Sequence, residues 1–452
     1  MSSYNFLPGE MTTGINSILL FLRAASAIFQ NNILKLPGTR SIKTVLIVCL
    51  CILLLPVHKL KAQSPGPRVW QASVERKDGK QVFFQMIQTE ENNRETWYIK
   101  NAGEKIPVTE WREKGDSVFF SLPAFEVSFR ARREGKEKLN GQFVKLTTGN
   151  RQYWSFMANA KDSQRYVSNM GKAGENISGK WDVTITRANG TTRKALAIFK
   201  QEGSHLTGTF LTPSADYRYL EGIVTGDSLK ISSFDGDNIR LFEAKITNEN
   251  SISGGFFYNG YTGKESWIAV RTDSVPPPDA IDPARMKEGQ TKLDFRFPDL
   301  QGKWVSINDE QYRHKVVIIQ LMGSWCANCL DETRFLVDFY KEYHEKGVEI
   351  IALAYEYSTD TLRSKASIEK FRKFLGVPYP ILLTGVTAGD DQKAEKTLPQ
   401  LTAIRSFPTT LILDREGRVR KIGTSFYGPG SGEYYIKYKN EFNATLDELI
   451  RE

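Results

Sequence analysis

The chain has 452 residues, 40% of them hydrophobic and 25% charged, with a formal net charge of +9. That length and mixture suit a multi-domain globular protein. Residues 1–63 carry +5 of the charge (Arg23, Lys35, Arg40, Lys43, Lys59 and Lys61 against Glu10), leaving +4 distributed with mixed signs; with no basic block, nucleic acid has no support as a partner.

The first predicted element is the apolar run Val45–Val57, 13 residues with Lys43 just before it. That length suits the apolar core of a signal peptide and falls short of the roughly 18 residues needed to span a bilayer. Ala62 supplies a small residue for cleavage before Gln63. The alternative is an N-terminal membrane anchor. The preceding residues, with a mostly apolar stretch at Ile15–Phe29, are unusual for a signal peptide; a start codon placed too far upstream would explain them. Cys49 follows Val48, which is too large for the residue before a lipidated cysteine.

Residues 64–272 read as β-rich. Short runs alternate apolar and polar residues, as in Val118–Ser121 and Val127–Arg130, between turns such as Asp78-Gly79, Gly115-Asp116, Gly226-Asp227 and Asp235-Gly236. The stretch repeats itself. Trp70 and Gly115 recur 111 residues later at Trp181 and Gly226, and Gly141 and Trp154 recur 113 later at Gly254 and Trp267, each within a similar local run. A duplicated unit is predicted, each copy a small antiparallel barrel or sandwich, or both joined in one larger sheet. Gly179-Lys180-Trp181, followed by Leu206–Phe210, resembles a lipocalin opening; bland barrel packing is favoured over a ligand cavity.

A Pro-rich linker (Pro276-Pro277-Pro278) forms a semi-rigid spacer, and the pattern then changes. Val316–Leu321 is a buried strand, followed by a helix from about Ala327 to Lys346 with Leu330, Phe335, Leu336 and Phe339 on its buried face and Gly347 at its end. A strand at Val348–Ala354, a helix marked by Ile368, Phe371 and Phe374, a strand at Pro380–Leu383, a hairpin around Arg415–Arg418 and a closing helix with Phe442, Leu446 and Leu449 complete an α/β order with a mixed sheet.

Only four cysteines occur: Cys49 and Cys51 in the leader, and Cys326 and Cys329 at the start of the first helix. Once the leader is removed, one Cys-x-x-Cys pair remains. Such a pair can form and break a disulfide without moving the backbone, and a helix N-terminus favours its first sulfur as thiolate. Zinc needs about four ligands, and His205, His314 and His344 are not suitably paired for it. No cofactor is expected beyond the redox-active disulfide.

Trp325-Cys326-x-x-Cys329 after a strand, an inserted strand–helix segment, and Ser406-Phe407-Pro408-Thr409-Thr410 before the hairpin together resemble the thioredoxin-like domain of the TlpA-type disulfide reductases of the bacterial envelope. The resemblance covers residues 287–452. With the features above, the chain reads as multi-domain: leader 1–63, β-rich repeats at 64–175 and 176–272, linker 273–286, and the α/β thioredoxin-like domain at 287–452; for the β region the resemblance adds only that such proteins carry an N-terminal accessory domain. It implies that Cys326 is the nucleophile and Cys329 the resolving cysteine, that Pro408 is a cis-proline facing them, and that Glu332 takes part in proton transfer. Trp325, Phe407 and Thr409 would form the substrate-binding surface. Three positions depart from the family pattern: Asn328 where proline is common, Gln320 where thioredoxins proper bury an aspartate, and Met322 where an aromatic is frequent.

The expected function is an exported protein-disulfide reductase of the periplasm or cell envelope of a Gram-negative bacterium. Its partners would be disulfide-bearing substrate proteins and a membrane dithiol electron donor, with outlets in cytochrome c maturation or envelope redox homeostasis. The alternatives are a thiol peroxidase of the alkyl hydroperoxide reductase class and a binding protein whose β domains hold a glycan or lipid. Gly323, where peroxiredoxins carry threonine, argues against the peroxidase.

Overall fold

The computed structural model describes residues 66–166, 173–273, 276–278 and 283–452. The expectations for residues 1–63 and for part of 273–286 lie outside them. Among the described residues no helix is long and apolar enough to cross a membrane.

The first β region is one nine-stranded antiparallel sheet built from β1 (Arg68–Glu75), β2 (Gln81–Glu91), β3 (Arg94–Asn101), β4 (Glu104–Pro107), β5 (Thr109–Lys114), β6 (Ser117–Ser121), β7 (Val127–Glu134), β8 (Lys138–Leu146) and β9 (Arg151–Asn159), in the order β4-β3-β2-β1-β9-β8-β7-β6-β5. Its edge strands β4 (Glu104–Pro107) and β5 (Thr109–Lys114) are joined through the single residue Val108, so the sheet curls back on itself. The second region is a closed barrel running from β10 (Gly179–Thr186) to β17 (Gly263–Thr272), which pair with each other. The duplication is visible strand by strand. β1, β2 and β6 begin at 68, 81 and 117, and β10, β11 and β14 begin 111 residues later, at 179, 192 and 228. The copies differ at one place. In the first, β4 occupies the edge of β3 (Arg94–Asn101); in the second, β12 (His205–Leu211) pairs directly with β13 (Leu220–Thr225), and the residues between them form a turn.

Inward-pointing alternation fills both interiors with rings. Trp97 stacks on Trp111 at 4.5 Å and Phe120 on Phe129 at 4.3 Å in the first. In the barrel, Phe242 lies between Phe210 and Phe257 at 4.0 and 4.2 Å, with Trp181 and Trp267 fully buried in the same cluster. The barrel axis is therefore side-chain core. Arg165 ties the two copies together, donating to the carbonyls of Lys100, Glu221 and Ser232.

The C-terminal part has the thioredoxin-like arrangement. Its five-stranded sheet runs β22-β21-β20-β23-β24, with β20 (Val316–Met322), β21 (Val348–Ala354) and β22 (Ile381–Leu383) parallel, and β23 (Thr409–Leu413) and β24 (Val419–Gly423) antiparallel. Helices α1 (Ala327–Tyr343), α2 (Thr361–Leu375), α3 (Lys393–Thr397) and α4 (Glu433–Arg451) accompany it. Gly347 and Gly376 take φ of 90° and 64° just beyond helical segments, the left-handed stop that glycine supplies. Every residue of β20 is buried, because helices and loops cover both faces. Val316 and Ile318 face the core built with Leu336 and Phe442, while Val317, Ile319 and Leu321 face a second core with Leu293 and Leu401. Gln320 shares the parity of the α1 side.

The Pro-rich linker does not separate independent bodies. One apolar cluster runs from Trp70 and Phe129 in the first sheet through Phe234 of the barrel to Leu330 and Leu336 of α1.

Candidate active site

The backbone turns from β20 into α1 through Gly323-Ser324-Trp325-Cys326. Trp325 folds back so tightly that a Cβ at Gly323 would overlap its indole. The indole Nε1 donates to the carbonyl of Tyr355 at 2.9 Å, stacks on Tyr357 at 4.6 Å and meets Phe407 edge-on at 5.9 Å. This fixes an aromatic rim beside the cysteines. Cys326 is the N-cap of α1, and its sulfur accepts the backbone N–H of Cys329 at 3.1 Å. The two cysteines form a disulfide with Cα atoms 5.1 Å apart. The helix N-terminus places its positive dipole end at this sulfur.

The loop before β23 closes on the same point. The Phe407–Pro408 bond is cis, and the Phe407 carbonyl oxygen lies 3.6 Å from the Cys326 sulfur. Thr409 is buried, and its hydroxyl donates to the Ser406 carbonyl at 2.8 Å. It braces the loop from within, while Trp325 and Phe407 stand partly exposed.

Glu332 lies one turn after Cys329 on α1, facing the sheet. It is 2% exposed. Its Oε2 accepts the Gln320 amide at 2.8 Å, and its Oε1 accepts the hydroxyls of Thr410 and Tyr438 at 2.7 and 2.9 Å. Burial pushes this carboxyl above the usual carboxylate range, and the three donors pull the other way. Gln320 itself accepts from Thr333 at 3.0 Å. The glutamine at the departing position is therefore a positioning partner of Glu332.

Three further groups carried no sequence motif. Glu356, just after β21, accepts the backbone N–H and the hydroxyl of Ser324 at 2.8 and 2.6 Å; burial pushes its carboxyl up to about 7. Asn328, between the cysteines, donates to Asp216 Oδ1 at 2.6 Å. Asp216 comes from the barrel's β12–β13 turn, and burial raises it to about 6. Two residues on, the buried Arg218 donates to the Ala327 carbonyl, Asp331 and Glu104. Its backbone is left-handed, φ 59°, an uncommon state for a large side chain. Asp331 rises to about 7 because burial, with Glu104 and Asp216 nearby, outweighs Arg218. Glu104 and Arg218 occupy the same stretch of the two repeats, between the third strand and the strand starting at 109 or 220, and both converge on the cysteine helix.

The Gly-rich segment Gly428-Pro429-Gly430-Ser431-Gly432 and the residues just before it pack between barrel and α1. Tyr427 donates to the Thr212 carbonyl at 3.0 Å and Ser425 to that of Pro213 at 2.6 Å, and a Cβ on Gly428 would sit 3.1 Å from Asp331 Oδ2.

Among the described residues no group of three or more His, Cys, Asp or Glu could hold a metal ion. The chemistry available is a vicinal dithiol–disulfide couple at a helix N-terminus, with a buried carboxyl one turn away.

A Redoxin family model matches residues 287–430. The thiol-disulfide oxidoreductase ResA of Geobacillus thermodenitrificans is 30% identical over 136 residues, 30% of this chain and 68% of that protein. ResA of Bacillus cereus is 28% identical over 183 residues, 40% of this chain and 86% of that protein. The solution structure of a putative protein disulfide isomerase from Bacteroides thetaiotaomicron is 21% identical, covers 38% of this chain and 94% of that one, and superposes with a TM-score of 0.29.

Proposed function

The chain belongs to the ResA-like thiol-disulfide oxidoreductase family, and on that premise we propose that it reduces disulfides of substrate proteins outside the cytoplasm. The Cys326 thiolate attacks one sulfur of the substrate disulfide, forming a mixed disulfide and releasing the other substrate sulfur as a thiolate that takes up a proton. Cys329 gives up its proton, with Glu332 as the acceptor, and attacks the Cys326 sulfur. The second substrate thiol leaves, and Cys326–Cys329 closes as a disulfide. Two electrons pass from the dithiol to the substrate, and a membrane dithiol donor restores them. An extended substrate segment pairs with the backbone at Phe407 while Trp325 shapes the docking surface. Cytochrome c maturation or general envelope thiol upkeep is the outlet, reached by export through the leader or an N-terminal anchor.

The observation that carries this reading is the placing of the Cys326 sulfur at the α1 N-cap, 3.6 Å from the Phe407 carbonyl beside the cis-proline. The reduction potential of the pair, measured by equilibration against glutathione, tests it. A value near about −270 mV is expected; one near about −120 mV would overturn the reductase in favour of an oxidase.

A further inference from the structure

The two residues between the cysteines are both held by one turn of the barrel. The Ala327 carbonyl accepts from Arg218, and the Asn328 amide donates to Asp216 Oδ1 at 2.6 Å and to the Asp216 carbonyl at 3.3 Å. Asp216 and Arg218 lie between β12 and β13. The rest of that turn is fastened to the thioredoxin-like part as well. Ala215 forms a parallel bridge with Phe426, and the Pro213 carbonyl accepts the Ser425 hydroxyl at 2.6 Å. Asp216 is 1% exposed and Arg218 3%, so their charges reach the cysteines with little screening by salt.

The head of α1 favours a thiolate at Cys326 through its free backbone N–H groups. A carboxylate buried beside Asn328 works against it, because a like charge disfavours ionisation of a thiol. Among the described residues, Arg218 and Arg240 of the barrel, the Gly428 N–H and the Asn328 amide favour the ionised form of Asp216, while burial opposes it and leaves it at about 6. Around Arg218 stand Glu104 of the first sheet, Asp235 of the barrel and Asp331 of α1, the last also paired with Arg334. The carboxylate is therefore the main form of Asp216 at neutral pH.

We propose that Asp216 is a positioning residue of the redox couple: held on Asn328, its carboxylate destabilises the Cys326 thiolate and so keeps the dithiol an electron donor. The proposal deepens the disulfide-reductase reading and rests on it. A stabilised reduced form makes such a pair an oxidant, and a buried carboxylate acts in the reverse sense. The barrel thereby takes part in the chemistry of the couple.

The test uses the full chain with Asp216→Asn, which removes the charge and keeps an oxygen for the Asn328 amide. Two quantities are read. One is the pH dependence with which iodoacetamide alkylates Cys326 in the reduced protein, located by mass spectrometry; the other is the equilibrium constant of the pair with glutathione. The ionisation constant of the Cys326 thiol should rise about tenfold, one pKa unit, and the glutathione equilibrium should move toward the dithiol. Asp216→Ser removes the same charge with a smaller side chain, and should shift both quantities alike if asparagine there does not fold. A merely structural role would make the two variants differ, since only asparagine preserves the shape. Parent-like values in the neutral variants, a shift of the thiol to higher pH, or divergence between the two variants would overturn the proposal while leaving the reductase in place. The parent's own potential tests the reductase reading separately: a value at the oxidising end would bring that reading down, and the donor role of Asp216 with it.

Discussion

Asp331 and Glu332 are neighbours on α1, yet about 100° of helical rotation turns them to different neighbours. Asp331 meets Arg218 of the barrel; Glu332 meets Gln320, Thr410 and Tyr438. Only Glu332 shares the buried side of the sheet, and burial holds it partly protonated to a higher pH than an exposed glutamate. A carboxyl in that state can accept the proton that Cys329 releases and return it. Replacing Glu332 by Gln should lower kcat/KM for disulfide reduction by about 10²-fold, the lower end of general acid–base contributions. A purely structural role would leave the shape of the pH–rate profile intact, whereas a proton-transfer role removes one ionisation from it; the profile decides. The sequence alone places Glu332 one turn from Cys329. It gives no sign of Tyr438, which lies 106 residues away.

At the level of elements, the strand-to-helix turn at 323–326 is fixed from behind. Glu356, arriving from β21, holds Ser324, whose hydroxyl also reaches Ser367 of α2 at 2.6 Å. Three elements thus meet one residue before Trp325. Burial raises the Glu356 carboxyl from 4.5 to about 7. The folded chain therefore binds this proton more tightly than the unfolded chain does. Its contribution is fully present below the ordinary carboxylate range and is lost as pH rises through about 7. The melting temperature should accordingly fall across that window, and Glu356→Gln, which keeps the acceptor for the Ser324 N–H, should flatten the fall, leaving the variant roughly 2–4 °C more stable than the parent above it. Asp216 and Asp331, also raised by burial, titrate with the same sign, so the slope shrinks rather than disappears. A variant with an unchanged slope in calorimetry at several pH values would remove Glu356 from this account.

For the whole molecule, the β regions are fastened to the redox helix. Arg363 of α2 pairs at 2.6 Å with Glu126, in the loop just before Val127 of the first β region, and Arg218 gathers Glu104, Asp331 and, at 4.0 Å, Asp235. Removing the cation leaves several buried carboxyls without a partner. Arg218→Met should cost about 3–5 kcal/mol in urea unfolding, with a larger loss at alkaline than at acidic pH because the orphaned acids can protonate only at low pH. Equal losses at both would contradict the charge account. Cys326, Cys329, the strand–helix order and the 111-residue repeat were legible in the sequence because they are local: spacing, periodicity and turn residues report on neighbours in the chain. The repeat also announced two similar β units, but not that one would stay open at β4 while the other closes, since that depends on a single edge pairing. Asp216, Arg218 and Glu104 could not be found that way, because the contacts that tie them to the redox helix and to each other's repeat span more than 100 residues and no pattern marks an isolated charge as buried. Local spacing and periodicity are enough to specify a dithiol at the head of a thioredoxin-like helix and a duplicated β region before it. The convergence of the equivalent segments of both repeats on that helix arises in the folded chain alone, because burying their charges together requires the two sheets and the α/β domain to share one core.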